Sequence, residues 1–237
     1  MGLDTFYSAE PTHVWQRVLG PGLHYHFGVE DPIHDPFDAA VIRLLQYIPA
    51  GSRVLDCGCG WGGPARILQK HGCFVQGVTI SREQHRFITD FPVWLADLHD
   101  LQLEEEFDVA MFMESMGHLD DPGKVLKAIS PFVRSVIIKD YAAPEYFPCP
   151  EWMGHFRTER QFREMLTDAG YQVRVYEEFA NYFQPSVDIW LSRLNALEDS
   201  EVTGQILLLK QLCLAGKQLE QSNQADPTRL CLVHAVR

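Results

Sequence analysis

An α/β fold, a doubly wound, seven-stranded and mostly parallel sheet with helices on both faces and helical lid insertions, is predicted for this chain by three observations. Strand-like apolar runs alternate with helical patterns along most of the 237 residues, the order that gives a parallel sheet. One of those runs passes straight into a glycine-rich turn, VLDCGCGWGG at 54–63. No internal repeat or low-complexity tract interrupts the order, and a chain of this length makes one domain, 1–237, with a sizeable core.

Asp35, with Pro36 in the first turn, starts a helix over 35–47 that halts at Pro49. Ser52 and Arg53 lead into the first strand, whose apolar run is Val54 and Leu55; Asp56, Gly58 and Gly60 then form a sharp loop into a helix over 63–71. The second strand is 73–79, and Ser81 with Gln84 is a capping box that starts the next helix. Strands follow at 93–96 and 107–113. Pro122 opens a helix with Val125, Leu126 and Ile129 at helical spacing, before a fifth strand at 135–141. The stretch 142–157, AAPEYFPCPEWMGHFR, is rich in proline and aromatics and reads as a loop or lid. Thr158 and Gln161 form a second capping box for a helix ending at Gly170, and 171–179 alternates as a strand. The span 184–221 is helical in two pieces, a candidate lid or substrate segment, and 229–236 closes the chain as the last strand.

Hydrophobic residues at 46% and charged residues at 22% are globular values. No apolar run approaches the roughly 18–20 residues that a membrane span requires. The N-terminus has neither a basic region nor an apolar core, and Phe6 breaks the myristoylation pattern, so a cytoplasmic location is expected. The six cysteines have no CxxC spacing, which points to reduced thiols and no metal. A net charge of −12 counts against nucleic acid and anionic membranes as partners and favours a neutral or cationic small molecule; the oligomeric state is left open.

The ten positions 54–63 describe a seat for a nucleotide-type cofactor, because glycine lets the backbone approach a ligand and the helix start offers unpaired N–H groups to a diphosphate or a carboxylate. An NAD-type fingerprint fits worse, since it wants a third glycine and an acidic ribose clamp about 20 residues later. Thr79 and Ile80 stand where such an acid would be. Three further segments accompany the seat: GVTISREQ at 77–84, ADLHDL at 96–101 and MESMGHLDD at 113–121. With them the chain resembles the class I S-adenosylmethionine-dependent methyltransferases, over nearly its whole length. It looks most like the small-molecule branch that holds tocopherol methyltransferases, cyclopropane-fatty-acid synthases, plant alkaloid N-methyltransferases and natural-product sugar O-methyltransferases.

The resemblance implies a Rossmann-like fold, S-adenosylmethionine as cofactor and a role for each motif residue. Asp56 would orient the loop and hold the cofactor's ammonium, with Gly58 and Gly60 admitting the methionine portion. Thr79 and Gln84 would lie near the ribose and methionine ends. Asp97 would accept from the adenine amino group, Leu98 would offer its N–H to the ring, and Met113 joins the cofactor contacts. Trp61 packs against the cofactor or into the core. The segment 1–34 would close over the site, with Tyr25 and His26 as clamps and Tyr7 and Trp15 as further candidates.

On the substrate side the resemblance puts His118 as base or hydrogen-bond acceptor and Glu114 as a carboxylate that steers a cation. Gly117 departs from the pattern, because the tocopherol and cyclopropane relatives have a Glu–His pair there; bicarbonate-assisted cyclopropane chemistry therefore fits less well. Asp140 and Tyr141 would line the pocket at the carboxyl edge of the sheet. Tyr146, Phe147, Trp152, His155, Phe156, Tyr182, Phe183 and Trp190 form an aromatic lid or complete the core. The function expected is methyl transfer to a small molecule, nitrogen ahead of oxygen or carbon, in natural-product biosynthesis. The alternatives are an O- or C-methyltransferase and a noncatalytic S-adenosylmethionine-binding protein.

Overall fold

Val54, Leu55 and Cys57 on β1 (Arg53–Cys57) are all fully buried, so this strand needs cover on both faces. It receives it from its place in the middle of a seven-stranded sheet. The structure, a computed structural model, describes residues 10–145, 154–179, 184–221 and 228–237. After β1 come β2 (Phe74–Thr79), β3 (Val93–Leu95), β4 (Phe107–Met113), β5 (Val133–Ala142), β6 (Gln172–Phe179) and β7 (Arg229–Val236). Their spatial order is β3-β2-β1-β4-β5-β7-β6. The first five are parallel, and β7 runs antiparallel between β5 and β6. Chain order reverses between β1 and β4, the switch point outside whose carboxyl ends open α/β sheets bind ligands.

Strand alternation sorts side chains to two cores. Val109 and Met111 of β4 join Ala40 and Val41 of α2 (Pro36–Ile42), Leu44 of the turn that follows it, and Ala65 and Leu68 of α3 (Gly63–Lys70). Ala110 and Phe112 join Val125, Leu126 and Ile129 of α5 (Pro122–Ile129) and Phe162 and Leu166 of α6 (Glu159–Asp168) on the other face. The short α4 (Arg82–Phe87) lies between β2 and β3 in the chain.

Local chemistry sets these ends as the sequence anticipates. Asp35 accepts the Phe37 N–H at 3.0 Å with Pro36 in the first turn, Ser81 accepts from Gln84 N–H, and Thr158 and Gln161 form a reciprocal capping box. One difference is that the helix expected over 35–47 tightens into a 3₁₀ turn at Arg43–Tyr47 before Pro49.

A third core covers the carboxyl edge of the sheet. It joins α1 (Thr12–Leu19), α7 (Gln184–Leu194) and α8 (Gly204–Gln221) through Trp15, Val18, Trp190, Leu194, Ile206 and Cys213. The sequence reading gave α1 no helix of its own. Its signal is Val14, Trp15, Val18 and Leu19, an apolar face at helical spacing after Pro11. Trp190 and Phe156 are buried and belong to the packing, whereas Tyr7, Tyr146, Phe147, Trp152, Tyr182 and Phe183 lie outside the described residues. No helix among the described residues is long and apolar enough to cross a membrane.

The third core is stapled where α8 begins. Glu10, 6% exposed, accepts the Gln205 N–H at 2.7 Å. Gly204 has φ +43°, and a Cβ there would stand 1.8 Å from Glu10 Oε1. Gly204→Ala should therefore displace Glu10 and destabilise the protein by ~1–3 kcal/mol, seen as a lower Tm in thermal melts.

Candidate active site

A cavity opens at the carboxyl ends of β1, β2 and β4, with about 200 Å³ accessible to the centres of water molecules. Apart from Tyr7, which lies outside the described residues, and Trp15, which is buried in the third core, the catalytic and cofactor-binding candidates lie in its wall: Asp56 from β1, Gly58, Gly60 and Trp61 from the glycine loop, Thr79 at the end of β2 and Gln84 beyond it, Asp97 and Leu98 after β3, Met113 at the end of β4 with Glu114 and His118 beyond it, and Tyr25 and His26 from the N-terminal segment.

Asp56 lies near the end of β1 at 1% exposure, and among the described residues neither of its carboxylate oxygens has a hydrogen-bond partner. Burial pushes its pKa up to about 7, because nothing nearby solvates the charge. The loop beyond it needs glycine for two different reasons. Gly58, at φ +87°, sends its N–H to Val78 O at 3.0 Å, and a Cβ would strike Ser115 Cβ at 2.6 Å. Gly60, at φ +54°, would send a Cβ into open space, so here the backbone conformation makes the demand.

The far walls are polar but neutral or self-satisfied. Thr79 Oγ1 donates to Gln84 Oε1 at 2.7 Å and accepts the Ser81 N–H at 3.1 Å, all buried. Asp97 Oδ1 accepts the His99 N–H at 2.8 Å and faces His99 Nδ1 at 2.9 Å. Asp121 N–H donates to His99 Nε2 at 3.3 Å, which places the ring proton on Nδ1 and lets it donate to Asp97. His99 is a cavity residue that the sequence reading missed; ADLHDL contained it, without a chemical reason to choose it. Trp61 serves both alternatives at once: it lines the cavity and packs on Trp15 and Phe87, with centroids 6.1 and 5.4 Å away.

The N-terminal segment reaches the wall through buried polar bonds. His26 Nε2 meets His24 Nδ1 at 3.0 Å, and His24 Nε2 donates to Asp38 at 2.8 Å. Burial and Lys139 hold the His26 pKa well below the ordinary imidazole value. Tyr25 packs edge-on against Trp15 at 5.0 Å, and burial raises its hydroxyl pKa.

Glu114 corrects an expectation. Its carboxylate does not stand free to steer a cation: it is ion-paired with buried Lys139, accepts the Phe27 N–H at 2.9 and 3.1 Å, and accepts the Tyr141 hydroxyl at 3.0 Å. Lys139 also donates to Phe27 O at 2.8 Å. The sequence hid this network, because Lys139 sits in an apolar strand, SVIIKDY, with nothing to mark its partner.

Asp140 and Tyr141 correct a second expectation, since neither lines the cavity. Both stand behind it. Asp140 accepts the Gly117 and Tyr141 N–H groups at 3.0 and 2.8 Å, and Tyr141 packs between Phe27 and Phe156. His118 reaches the cavity from the 3₁₀ turn Met116–His118.

A family model described as a methyltransferase domain matches residues 33–175, more than half of the chain. The chain belongs to the methyltransferase-domain family. It is an S-adenosylmethionine-dependent methyltransferase. The methyltransferase is 24% identical to O-methyltransferase resE of Aspergillus sclerotiorum over 237 residues, covering 85% of this chain and 90% of that protein. It is 27% identical to sarcosine/dimethylglycine N-methyltransferase of Aphanothece halophytica, over 74% of this chain and 70% of that one. Its fold matches the crystal structure of coclaurine N-methyltransferase bound to N-methylheliamine and SAH, with a TM-score of 0.78, 19% identity, and coverage of 96% of this chain and 81% of that one.

The cavity fits the methyltransferase's cofactor on its own chemistry. A buried carboxylate with both oxygens unpartnered suits a ligand that brings a cation, and S-adenosylmethionine carries an ammonium on its methionine portion. The ion pair of Glu114 with Lys139 gives a separate test. Lys139→Met would leave Glu114 buried and unpaired and should destabilise the methyltransferase by ~3–5 kcal/mol, with Lys139→Met/Glu114→Gln recovering part of the loss in urea denaturation.

Proposed function

We propose that this methyltransferase transfers a methyl group to a small molecule, with a nitrogen ahead of oxygen or carbon as acceptor. The orphaned carboxylate of Asp56 in an enclosed cavity carries the cofactor end of this reading. S-adenosylmethionine supplies an electrophilic methyl group on a sulfonium. Asp56 holds the ammonium, the backbone at Gly58 and Gly60 admits the methionine portion, and Thr79 and Gln84 flank its ribose and methionine ends. Asp97 and Leu98 bind the adenine, Met113 and Trp61 pack against the bound molecule, and Tyr25 and His26 close the wall and exclude water.

For the acceptor, support comes from three sides. The third core, packed from α1, α7 and α8, covers this edge of the sheet and favours a small substrate over a macromolecule. The charge of −12 favours a neutral or cationic substrate over a phosphate backbone. A neutral amine brings its own lone pair, so placing it in line provides most of the acceleration, on the order of 7–11 kcal/mol from proximity. His118 then accepts the acceptor's proton or a hydrogen bond from it. The N-methyltransferase names among the relatives support nitrogen and the resE name supports oxygen. In the same reading the protein is cytoplasmic, works in natural-product biosynthesis, and is one domain with 1–34 as closing segment and 142–157 and 184–221 shaping the substrate side.

Transfer of label from methyl-labelled S-adenosylmethionine to a panel of amines, phenols, sugars and enolisable or prenyl carbons, each product identified by mass, tests the reading. A labelled amine is the expected result. Label appearing solely on hydroxyl or carbon acceptors would sink the nitrogen assignment.

The role of Asp56 has its own signature. A carboxylate with a pKa of about 7 must lose its proton before it can pair with the ammonium. Affinity for S-adenosylmethionine should thus weaken by about tenfold per pH unit below 7. By calorimetry, Asp56→Asn should bind more weakly and lose that slope; an unchanged slope would remove Asp56 from the ammonium site.

A further inference from the structure

The turn Met116–His118 is held from two sides by buried groups outside the cavity wall. From β5, Asp140 at 1% exposure takes the Gly117 N–H on Oδ2 at 3.0 Å and the Tyr141 N–H on Oδ1 at 2.8 Å. From the end of the 142–157 stretch, His155 N–H donates to Gly117 O at 2.8 Å, and the buried Arg157 guanidinium donates to Met116 O at 3.2 Å and Leu119 O at 2.9 Å. Ser115 Oγ donates to Cys57 O at 2.5 Å and ties the start of the turn to β1.

Contact here is as close as the backbone permits. A Cβ at Gly117 would lie 3.0 Å from Asp140 Oδ1, and one at Gly154 would lie 3.0 Å from the Gly117 carbonyl carbon. The turn has no room to shift toward either neighbour. A charged acceptor also has a reason to be here, because its two oxygens serve two N–H groups at once. An asparagine would turn its NH₂ toward one of them. Burial raises the Asp140 pKa to about 6, Glu114 adds to the rise, and the Tyr141 and Gly117 N–H groups and Arg157 oppose it. Cys231, buried alongside, has its thiol pKa raised by burial and by Asp140.

We infer that Asp140 is a positioning residue for His118: it fixes the Gly117 amide while Arg157 and the His155 N–H hold the carbonyls, so that the imidazole is presented to the cavity in one orientation. The inference rests on the assignment of His118 as acceptor of the substrate's proton or hydrogen bond.

Histidine-ring NMR of the protein bound to S-adenosylhomocysteine reads this without turnover, with His118→Ala identifying the signal. Asp140→Asn, which loosens the Gly117 amide, should shift and broaden the His118 ring signal. With the acceptor found by label transfer, Asp140→Asn and Gly117→Ala should each lower kcat about tenfold or more, with KM for S-adenosylmethionine unchanged. Neither should lower kcat further in a His118→Ala background, because Asp140 acts through His118. If Asp140→Asn fails to bind S-adenosylhomocysteine, Gly117→Ala, which keeps the carboxylate, decides by the same kcat readouts. A wild-type His118 ring signal and wild-type kcat in a variant that binds S-adenosylhomocysteine would overturn the inference, and so would a loss that adds in full to that of His118→Ala. Full turnover by His118→Ala alone would overturn the assignment beneath it instead.

Discussion

The buried pair of Glu114 and Lys139 is the contact on which the rest of the site depends, because it converts a loop near the chain's start into a wall of the cavity. Both ends of the Phe27 backbone are consumed by it: the N–H by the carboxylate and the carbonyl by the ammonium. Such a pair roughly breaks even against well-packed apolar residues, so its value lies in specificity: leaving either charge unpaired in the interior is expensive. One docking register satisfies both charges at once. Once Phe27 is seated, Gly28 N–H reaches Ser186 Oγ on α7 at 2.6 Å, and α7 carries Trp190 onto Phe27 and Phe37. Glu114 itself sits at φ +52°, a conformation that costs a non-glycine residue about 1 kcal/mol or more. Its amide bonds Lys139 O at 2.6 Å, so the strained residue is held at backbone and side chain alike.

Two other buried acids behave in the opposite way. Asp56 and Asp140 have pKa values raised to about 7 and about 6. In each case the folded state keeps a proton that the unfolded chain has already released. Their contribution to stability therefore falls as pH rises from the ordinary carboxylate range, about 4, through those raised values. At neutral pH both are net costs to folding, and both sit at the carboxyl edge of the sheet, where ligand chemistry happens. That is the pattern of residues retained for function against stability. The difference between them is what offsets the charge: backbone N–H groups and Arg157 at Asp140, and among the described residues nothing at Asp56.

The sheet and the glycine loop that lines the cavity were legible in the sequence because both are local. A strand followed by glycines, an Asp35–Pro36 helix start and a Thr158–Gln161 capping box each specify geometry within a few residues. The cavity wall followed from those motifs. The roles behind the wall were not legible, because they are set by partners far apart in the chain: Glu114 with Lys139 and Phe27, Asp140 with Gly117, His24 with Asp38. Nothing in MESMGHLDD or SVIIKDY says that the carboxylate of one meets the ammonium of the other. Glu114 thus read as a free carboxylate and Asp140 as a pocket residue. The helix α1 was missed for a milder reason, that its eight residues give little more than two turns of periodicity.

The last strand shows how far this non-local dependence extends. In the antiparallel register of β5 with β7, Lys139 lies opposite Leu232, Asp140 opposite Cys231 and Tyr141 opposite Leu230. The three residues that seat Phe27 and brace the His118 turn are thus flanked by a strand from the far end of the chain. Because β7 runs antiparallel between β5 and β6, the connection from β6 crosses the carboxyl edge and can carry α7 and α8 over the site on its way. Closing that connection costs little more for a long loop than for a short one, so helices can be placed there without disturbing the parallel strands beneath. The consequence is kinetic as well as structural. The bond between Phe27 and Lys139 joins residues 112 apart, so more loop-closure entropy must be met before it forms than for the local contacts of the glycine loop. The glycine seat can assemble from β1, α3 and β2 alone, whereas the wall that encloses it requires both ends of the chain.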